Sequence, residues 1–181
     1  MSSAKELQER GVRLFQHKDY EEAAQLFHQA REAYDAEGKP DMAAEMRVNI
    51  GLVHRALGEH PQALAAMQEA LQVFQGMNDR RRLAMVLGNM GGVYAAMRDN
   101  EQAHASYRAA ADLFDELGET KLHGETLVAM GALQVKEGKL TAGAASYQVG
   151  LEELNDLSAS QKVIKGLSGI VNRLTGGQKS D

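Results

Sequence analysis

Residues 49–74, NIGLVHRALGEHPQALAAMQEALQVF, are echoed 40 residues later by residues 89–114, NMGGVYAAMRDNEQAHASYRAAADLF. The two stretches place small and bulky residues in one register, and a fixed period of this kind indicates a repeat architecture. Over the whole chain the register holds five columns through four copies: Gly11, Gly51, Gly91 and Gly131; Ala23, Ala63, Ala103 and Gly143; Phe27, Met67, Tyr107 and Tyr147; Ala30, Ala70, Ala110 and Gly150; Tyr34, Phe74, Phe114 and Leu154. The sequence therefore predicts four tandem units over residues 1–160, at about 4–40, 41–80, 81–120 and 121–160.

Each unit is predicted to be a pair of α-helices. Apolar and small residues recur at spacings of three and four, which is the period of an amphipathic helix, as in Ala63, Met67, Ala70, Leu71 and Phe74. The predicted helices cover residues 4–17, 20–36, 43–57, 61–75, 81–97, 100–116, 121–137 and 140–156.

The helix ends carry their own signals. Gly58 and Gly138 suit the left-handed conformation that closes a helix, and Pro61 suits a first turn. We expect three further residues to cap the helices that follow them: Asp79, Thr120 and Ser160.

The small columns are predicted to be core. A Gly or Ala at a helix crossing lets two backbones approach, and the bulky column fills the space beside it. We assign these columns no chemistry.

Residues 161–174 are predicted to form a capping helix. A terminal helix covers the last apolar face of a repeat array, and this segment carries one apolar stripe: Val163, Ile164, Leu167, Ile170, Val171 and Leu174. Membrane or partner docking is the alternative, although Lys162, Lys165 and Arg173 make only a weak basic face. Residues 175–181 are predicted to be a flexible tail.

Composition excludes several classes of protein. The 181 residues are 44% apolar, with 20 Lys and Arg against 25 Asp and Glu, a net charge of −5. An acidic chain is a poor partner for nucleic acid. The absence of cysteine removes disulfides and thiolate metal sites. No apolar run is long enough to cross a bilayer, and the polar start lacks the apolar core of a secretion signal. We expect a cytoplasmic protein without membrane insertion.

No pattern in the sequence predicts an active site. Phosphate-binding glycine loops and the HExxH and GxSxG motifs are missing, and the six histidines lack metal-ligand spacing. We therefore predict no catalytic residue, no metal and no cofactor. His54 is expected to pack against its neighbours. The run Arg80–Arg82 is predicted to be a solvated loop edge, with contact to an acidic partner as the alternative.

The repeat resembles the tetratricopeptide repeat, with Gly at the eighth position, Ala at the twentieth, an aromatic residue at the twenty-fourth and Ala at the twenty-seventh. The period exceeds the usual value of about 34. Longer units of this kind resemble those of Leu-Gly-Asn repeat adaptors and kinesin light chains, through Leu87–Gly91 and the turn Leu57–Glu59. The resemblance implies an all-α, right-handed superhelical solenoid of four helix-turn-helix repeats plus the C-terminal capping helix.

The resemblance also implies that first helices line a concave face. Its inward positions in the first two units are Lys5, Gln8, Val12, Phe15, Gln16, Glu45, Val48, Leu52, Arg55 and Ala56. A clamp for a partner's C-terminal carboxylate needs basic residues, but only Asn49 matches that pattern, so co-chaperone activity is not predicted. The predicted partner-binding groove comprises Val48, Asn49, Leu52, Arg55, Met85, Gly88, Asn89, Gly92, Ala96, Val128, Ala132 and Val135.

These residues predict a protein-protein interaction module. The uncharged helix 83–97, with Gly and Ala at inward positions, favours a deep apolar groove for a partner peptide or amphipathic helix. Asn49 and Asn89 could hydrogen-bond the inserted segment. The predicted role is a non-enzymatic adaptor, scaffold or assembly factor. The alternatives are a self-associating homo-oligomer, a sensor of a small apolar ligand at Gly88 and Gly92, and small residues that serve only to tighten curvature.

Overall fold

Helices follow one another along residues 2–154, which are the residues described by this computed structural model. Their bounds are α1 Ala4–His17, α2 Tyr20–Ala36, α3 Pro40–Ala56, α4 His60–Gly76, α5 Arg80–Met97, α6 Asn100–Glu116, α7 Thr120–Lys136 and α8 Leu140–Glu153. The predicted all-α chain of helix pairs is confirmed, and these helices begin within three residues of the predicted positions. The predicted cap Ser160, capping helix 161–174 and tail 175–181 lie outside the described residues.

Most of the predicted helix ends are confirmed. Asp79 precedes α5, and its carboxylate accepts a hydrogen bond from the backbone N–H of Arg82 at 3.0 Å. Gly58 and Gly138 both adopt φ of 79°, a left-handed conformation that suits glycine. The prediction for Thr120 is wrong: it is the first residue of α7, and Glu119 precedes it as the cap.

The chain divides into two compact units, Met1–Arg98 with α1 to α5 and Asp99–Asp181 with α6 to α8. Within each unit every helix packs against the next one along the chain, and α3 in the first unit also contacts α5. Within residues 2–154 no helix is both long and apolar enough to cross a membrane.

The small and bulky columns form the core of the first unit, as predicted. A Cβ atom at Gly11 would lie 2.8 Å from the ring of Phe27, and one at Gly51 would lie 2.9 Å from the side chain of Met67. Phe27 and Met67 are almost fully buried. Burial of each such side chain contributes about 1.5–3 kcal/mol, which outweighs the roughly 1 kcal/mol cost of a helical glycine.

In the second unit, glycine occurs on both helices of the pair α7 and α8. A Cβ at Gly150 would lie 2.6 Å from the carbonyl oxygen of Gly124, and one at Gly143 would lie 3.0 Å from that of Gly131. The two backbones therefore touch at these glycines of α8, where the same columns in the first unit hold alanine. A backbone contact cannot relax by rotating a side chain, so this crossing tolerates no added atom.

We expect Gly150→Ala to lower the free energy of unfolding by about 1–3 kcal/mol, because its methyl group would overlap the backbone of α7. Gly76→Ala is the matched control, since Gly76 is helical and a Cβ there meets nothing within 4 Å. The control should be neutral or gain up to about 1 kcal/mol from helix propensity. Urea unfolding followed by circular dichroism measures both. Equal stability of the two variants would contradict the contact.

Candidate functional site

The first helices α1, α3 and α5 of the first unit enclose a cavity of about 330 Å³, here named the unit 1 groove. Helix α4 adds one residue, Phe74. The lining consists of Gln8, Val12, Glu45, Val48, Asn49, Phe74, Arg81, Arg82, Met85, Val86 and Asn89. The groove therefore lies within one compact unit.

Apolar side chains form the floor and walls of the groove. Phe74 and Val86 are buried beneath it, and Val48 is half-buried. Val12 and Met85 are more exposed than these residues, with 37% and 41% of their surfaces accessible to solvent. Exposed apolar side chains beside a cavity leave surface that a partner can remove from water.

Three amide side chains are among the hydrogen-bonding groups of the groove. Gln8 accepts a hydrogen bond from the hydroxyl of Tyr34 at 2.6 Å. Burial, and then the charge of Glu37, raises the pKa of Tyr34, so this hydroxyl stays protonated and donates. Asn49 and Asn89 are half-buried, and no group in residues 2–154 hydrogen-bonds their side-chain amides. Each amide can still donate and accept.

Arg82 joins α5 to α3 at one end of the groove. Its guanidinium lies 2.9 Å from Glu45, 3.2 Å from Asp41 and 3.3 Å from Asp79. It also lies 5.6 Å from the ring centroid of Phe74, within range of a cation–π interaction. Less than a third of each of these four charged side chains is exposed. The three carboxylates hold Arg82 in place and are partly neutralised by it.

This arrangement corrects the prediction for Arg80–Arg82. Arg82 is neither at a solvated loop edge nor exposed for an acidic partner, because it faces inward onto α3. Arg81 lines the groove, where its guanidinium lies 3.8 Å from the sulfur of Met85. The contact of Arg82 with α3 does have a signal in the sequence. Asp41 and Glu45 lie one helical turn apart, and both precede Arg82 by about one repeat.

Four of the predicted groove residues meet at the cavity: Val48, Asn49, Met85 and Asn89. Leu52 is half-buried on the apolar core beneath the groove. Gly88 is half-buried and Ala96 is exposed, and both lie outside the cavity lining.

The predicted depression at Gly92 is filled. Gly92 is buried, and a Cβ there would lie 2.7 Å from Nη1 of Arg55. The guanidinium of Arg55 therefore rests on the backbone of α5. The open part of the groove lies one to two turns nearer the start of α5 than the sequence suggested.

The remaining predicted residues, Val128, Ala132 and Val135, belong to the second unit. Val128 and Val135 pack against α8, where they would lie 3.0 Å and 2.6 Å from Cβ atoms at Gly150 and Gly143. Ala132 is half-buried. The two valines thus serve the crossing of α7 with α8, a role that sequence reasoning did not predict.

Three histidines pair with glutamates. His54 lies 2.6 Å from Glu59, His104 lies 2.7 Å from Glu137, and His123 lies 2.7 Å from Glu153. His54 is thus half-buried, as a packing role requires, but it also makes a polar contact that was not predicted. Residues 2–154 contain no group of three or more His, Asp or Glu side chains that could hold a metal ion.

Comparison with protein families matches the tetratricopeptide repeat model to residues 6–76 and 42–116, more than half of the chain. None of the curated proteins matches the sequence. Among solved structures, the crystal structure of BtubC (BKLC) from P. vanneervenii is similar, with a TM-score of 0.70 and 17% identity. That similarity covers 98% of this chain and 66% of that chain, and at this identity it supports the fold alone.

We expect Arg82→Met to lower the free energy of unfolding by about 1–2 kcal/mol, because three carboxylates lose their shared cation. Lys5→Met is the matched control. Lys5 makes one ion pair with Glu9 at 3.9 Å, and 80% of its side chain is exposed, so its loss should cost little. Thermal and urea unfolding compare the two variants. Equal effects would mean that Arg82 contributes no more than a surface charge.

Glu137 gives the second unit an acid-sensitive contact. The hydrogen bond from His104, followed by that from Lys139, lowers the pKa of Glu137 below its ordinary 4.5. Because this pKa is lower in the folded chain than in the unfolded chain, the contribution to stability is complete above about pH 5. It is lost as the pH falls through the folded-state pKa.

Glu137→Gln should therefore be less stable than wild type at pH 7, and the difference should shrink as the pH falls below the ordinary value of 4.5 and through the folded-state pKa. Urea unfolding across this range measures the difference. Glu21→Gln, at an exposed carboxyl that makes no ion pair with the described residues, controls for the loss of one charge. A Glu137→Gln difference that is constant with pH would contradict the assignment.

Proposed function

Because the chain belongs to the tetratricopeptide repeat family, whose repeats generally mediate protein–protein interaction, we propose that it is a non-enzymatic adaptor that binds a peptide segment of a partner protein in the unit 1 groove. The observation that carries the proposal is the pair of half-buried amides, Asn49 and Asn89, left without hydrogen-bond partners among residues 2–154. Apolar surface surrounds them on three helices. A site of this composition suits a peptide, which brings both apolar side chains and backbone polar groups.

The packing beneath the groove supports a preformed site. The ring of Phe27 fills the space at Gly11, the side chain of Met67 fills the space at Gly51, and Arg82 ties α5 to α3. Since these contacts exist without a partner, little ordering of the protein is needed on binding. This favours presentation of a rigid surface as the mechanism of the adaptor.

The chemistry of the groove favours some partners over others. Gln8, Met85 and Asn89 occupy positions where, by the family resemblance, basic residues would hold a C-terminal carboxylate, so an internal segment of the partner is the better occupant. A small apolar ligand at Gly88 and Gly92 is disfavoured, because the charged head of Arg55 covers Gly92. The test below distinguishes peptide binding from self-association of the protein through the groove.

We expect Met85→Glu to weaken peptide binding by about tenfold or more, because a carboxylate would replace the apolar wall of the groove. The probe is a displayed library of random nine-residue peptides, selected on immobilised wild-type protein and then titrated singly by fluorescence anisotropy. Met77→Glu is the matched control, since Met77 is 49% exposed and does not line the groove. It should bind the selected peptides as wild type does.

A second variant, Asn49→Ala with Asn89→Ala, removes both amides and should also weaken binding. Circular dichroism checks that helix content is kept in all variants. Selected peptides that bind every variant equally would contradict the groove assignment. Sedimentation of the wild-type protein alone covers the alternative: a dimer that Met85→Glu dissociates would indicate that a second copy occupies the groove.

A further inference from the structure

Met85 differs from the other exposed methionines in its surroundings. In residues 2–154 three methionines are exposed, with accessible fractions of 49% for Met77, 41% for Met85 and 43% for Met97. Of these three, Met85 is the one that lines the unit 1 groove, and its sulfur is the one with a hydrogen-bond donor, Nη1 of Arg81 at 3.8 Å. The three thioethers are thus nearly equal in exposure and unequal in chemical environment.

Two side chains that can donate hydrogen bonds flank Met85 on one face of α5. Arg81 precedes Met85 by four residues and Asn89 follows it by four, so the three side chains lie in line, one helical turn apart. All three line the groove. A helical Met leans toward the start of its helix, and its sulfur accordingly contacts Arg81. The side-chain amide of Asn89 has no hydrogen-bond partner in residues 2–154.

The thioether is a poor acceptor for these donors. A thioether sulfur accepts hydrogen bonds weakly, whereas a guanidinium offers five N–H donors and a side-chain amide offers two. Oxidation to the sulfoxide makes the side chain polar and adds an S–O oxygen, which is a good acceptor. A hydrogen bond from a charged donor to such an oxygen is stronger than the contact that the sulfur makes. The surroundings of Met85 therefore suit the oxidised side chain better than the reduced one.

The oxidation requires an oxidant of the peroxide class. A lone pair of Sδ attacks one oxygen of hydrogen peroxide, so that the S–O bond forms while the O–O bond breaks. The departing hydroxide takes the proton from the transferred oxygen and leaves as water. The sulfur loses two electrons and the peroxide gains them. The guanidinium of Arg81, beside the sulfur, stabilises the negative charge that develops on the leaving oxygen.

We infer that Met85 is a modification site: peroxide converts its thioether to a sulfoxide, Arg81 and Asn89 donate hydrogen bonds to the new oxygen, and the unit 1 groove closes to apolar side chains. The apolar wall that Met85 forms becomes polar, and the amide of Asn89 is no longer available to a partner. Methionine sulfoxide reductases restore the thioether, so the change is reversible. The effect on binding rests on the proposed function, whereas the modification itself does not.

The modification is tested first, without any peptide. Wild-type protein is treated with hydrogen peroxide at neutral pH, and the sulfoxide at each methionine is followed over time by fragment-ion mass spectrometry. We expect Met85 to oxidise about threefold faster than Met77 and Met97, which are internal standards of similar exposure. Met46 and Met67 are fully buried and should stay reduced, which reports that the fold is intact.

Arg81→Ala should remove the rate advantage of Met85. Truncation of Arg81 also uncovers the sulfur, so a slower reaction cannot result from lower exposure. Arg80→Ala is the matched control, because it removes the same charge one residue earlier, at another exposed position. Equal rates at Met85 and the two internal standards in wild type, or a rate at Met85 that Arg81→Ala does not lower, would overturn the role of Arg81.

The side-chain amide of Asn89 gives a second readout. Its resonances in ¹⁵N NMR spectra should shift when wild type is oxidised, and they should not shift when Met85→Leu is treated in the same way. Resonances of Asn89 that are unchanged by oxidation of wild type would overturn the hydrogen bond from this amide.

The effect on binding is measured in a protein that carries Met77→Leu and Met97→Leu, so that Met85 is the exposed methionine left in residues 2–154. Methionine-free peptides selected on the reduced protein are titrated after the peroxide has been removed. Oxidation should weaken their binding by about tenfold, and a sulfoxide reductase should restore it. Met85→Leu keeps the apolar wall without a sulfur, so peroxide should leave its affinity unchanged.

The outcomes separate this inference from the proposed function. Oxidation of Met85 that leaves binding unchanged would overturn the closure of the groove, and an equal loss of affinity in Met85→Leu would assign the effect to another residue. If the reduced protein binds no peptide, the proposed function is wrong. The oxidation rates and the Asn89 resonances then still decide whether Met85 is a modification site.

Discussion

The close approach of paired helices is the constraint on which the rest of this structure depends. At Gly11 and Gly51 a single methyl group would collide with Phe27 or Met67, so the first and second helices of these pairs have one available separation. The side chains that fill the spaces at Gly11 and Gly51 come from the second helices α2 and α4. In the first unit, α1, α3 and α5 present another face, which lines the groove.

The space beside a helical glycine is filled in different ways at Gly51, Gly150 and Gly92. At Gly51 the vacancy is filled by a core side chain, at Gly150 by the backbone of α7, and at Gly92 by the guanidinium of Arg55. The first two rigidify a helix pair, since neither can relax without moving a helix. The third brings a charged group against the backbone of α5, because the neighbour there is the end of a long side chain. A glycine column alone does not tell these cases apart.

The features that recur in every repeat could be predicted from the sequence. Periodic columns predicted the helix pairs and the core, and the family resemblance placed Val48, Asn49, Met85 and Asn89 on one surface, where the structure finds them. Single contacts were not predictable. Which of three consecutive arginines turns inward depends on a rotation of about 100° per residue, and the position of Arg55 depends on its side-chain rotamer. Periodicity carries neither piece of information.

The ion pairs of individual side chains, rather than the net charge of the chain, determine the charge that the groove presents to a partner. The chain carries a net charge of −5, which by itself would favour a basic partner. Yet the carboxylates nearest the groove, Glu45 and Asp41, are held at Arg82, whereas Arg55 has no carboxylate beside it in residues 2–154. Screening confines each of these charges to its neighbourhood at physiological salt. The net charge of the chain therefore does not determine the charge at any one place on its surface, because Arg82 has already engaged the carboxylates beside it.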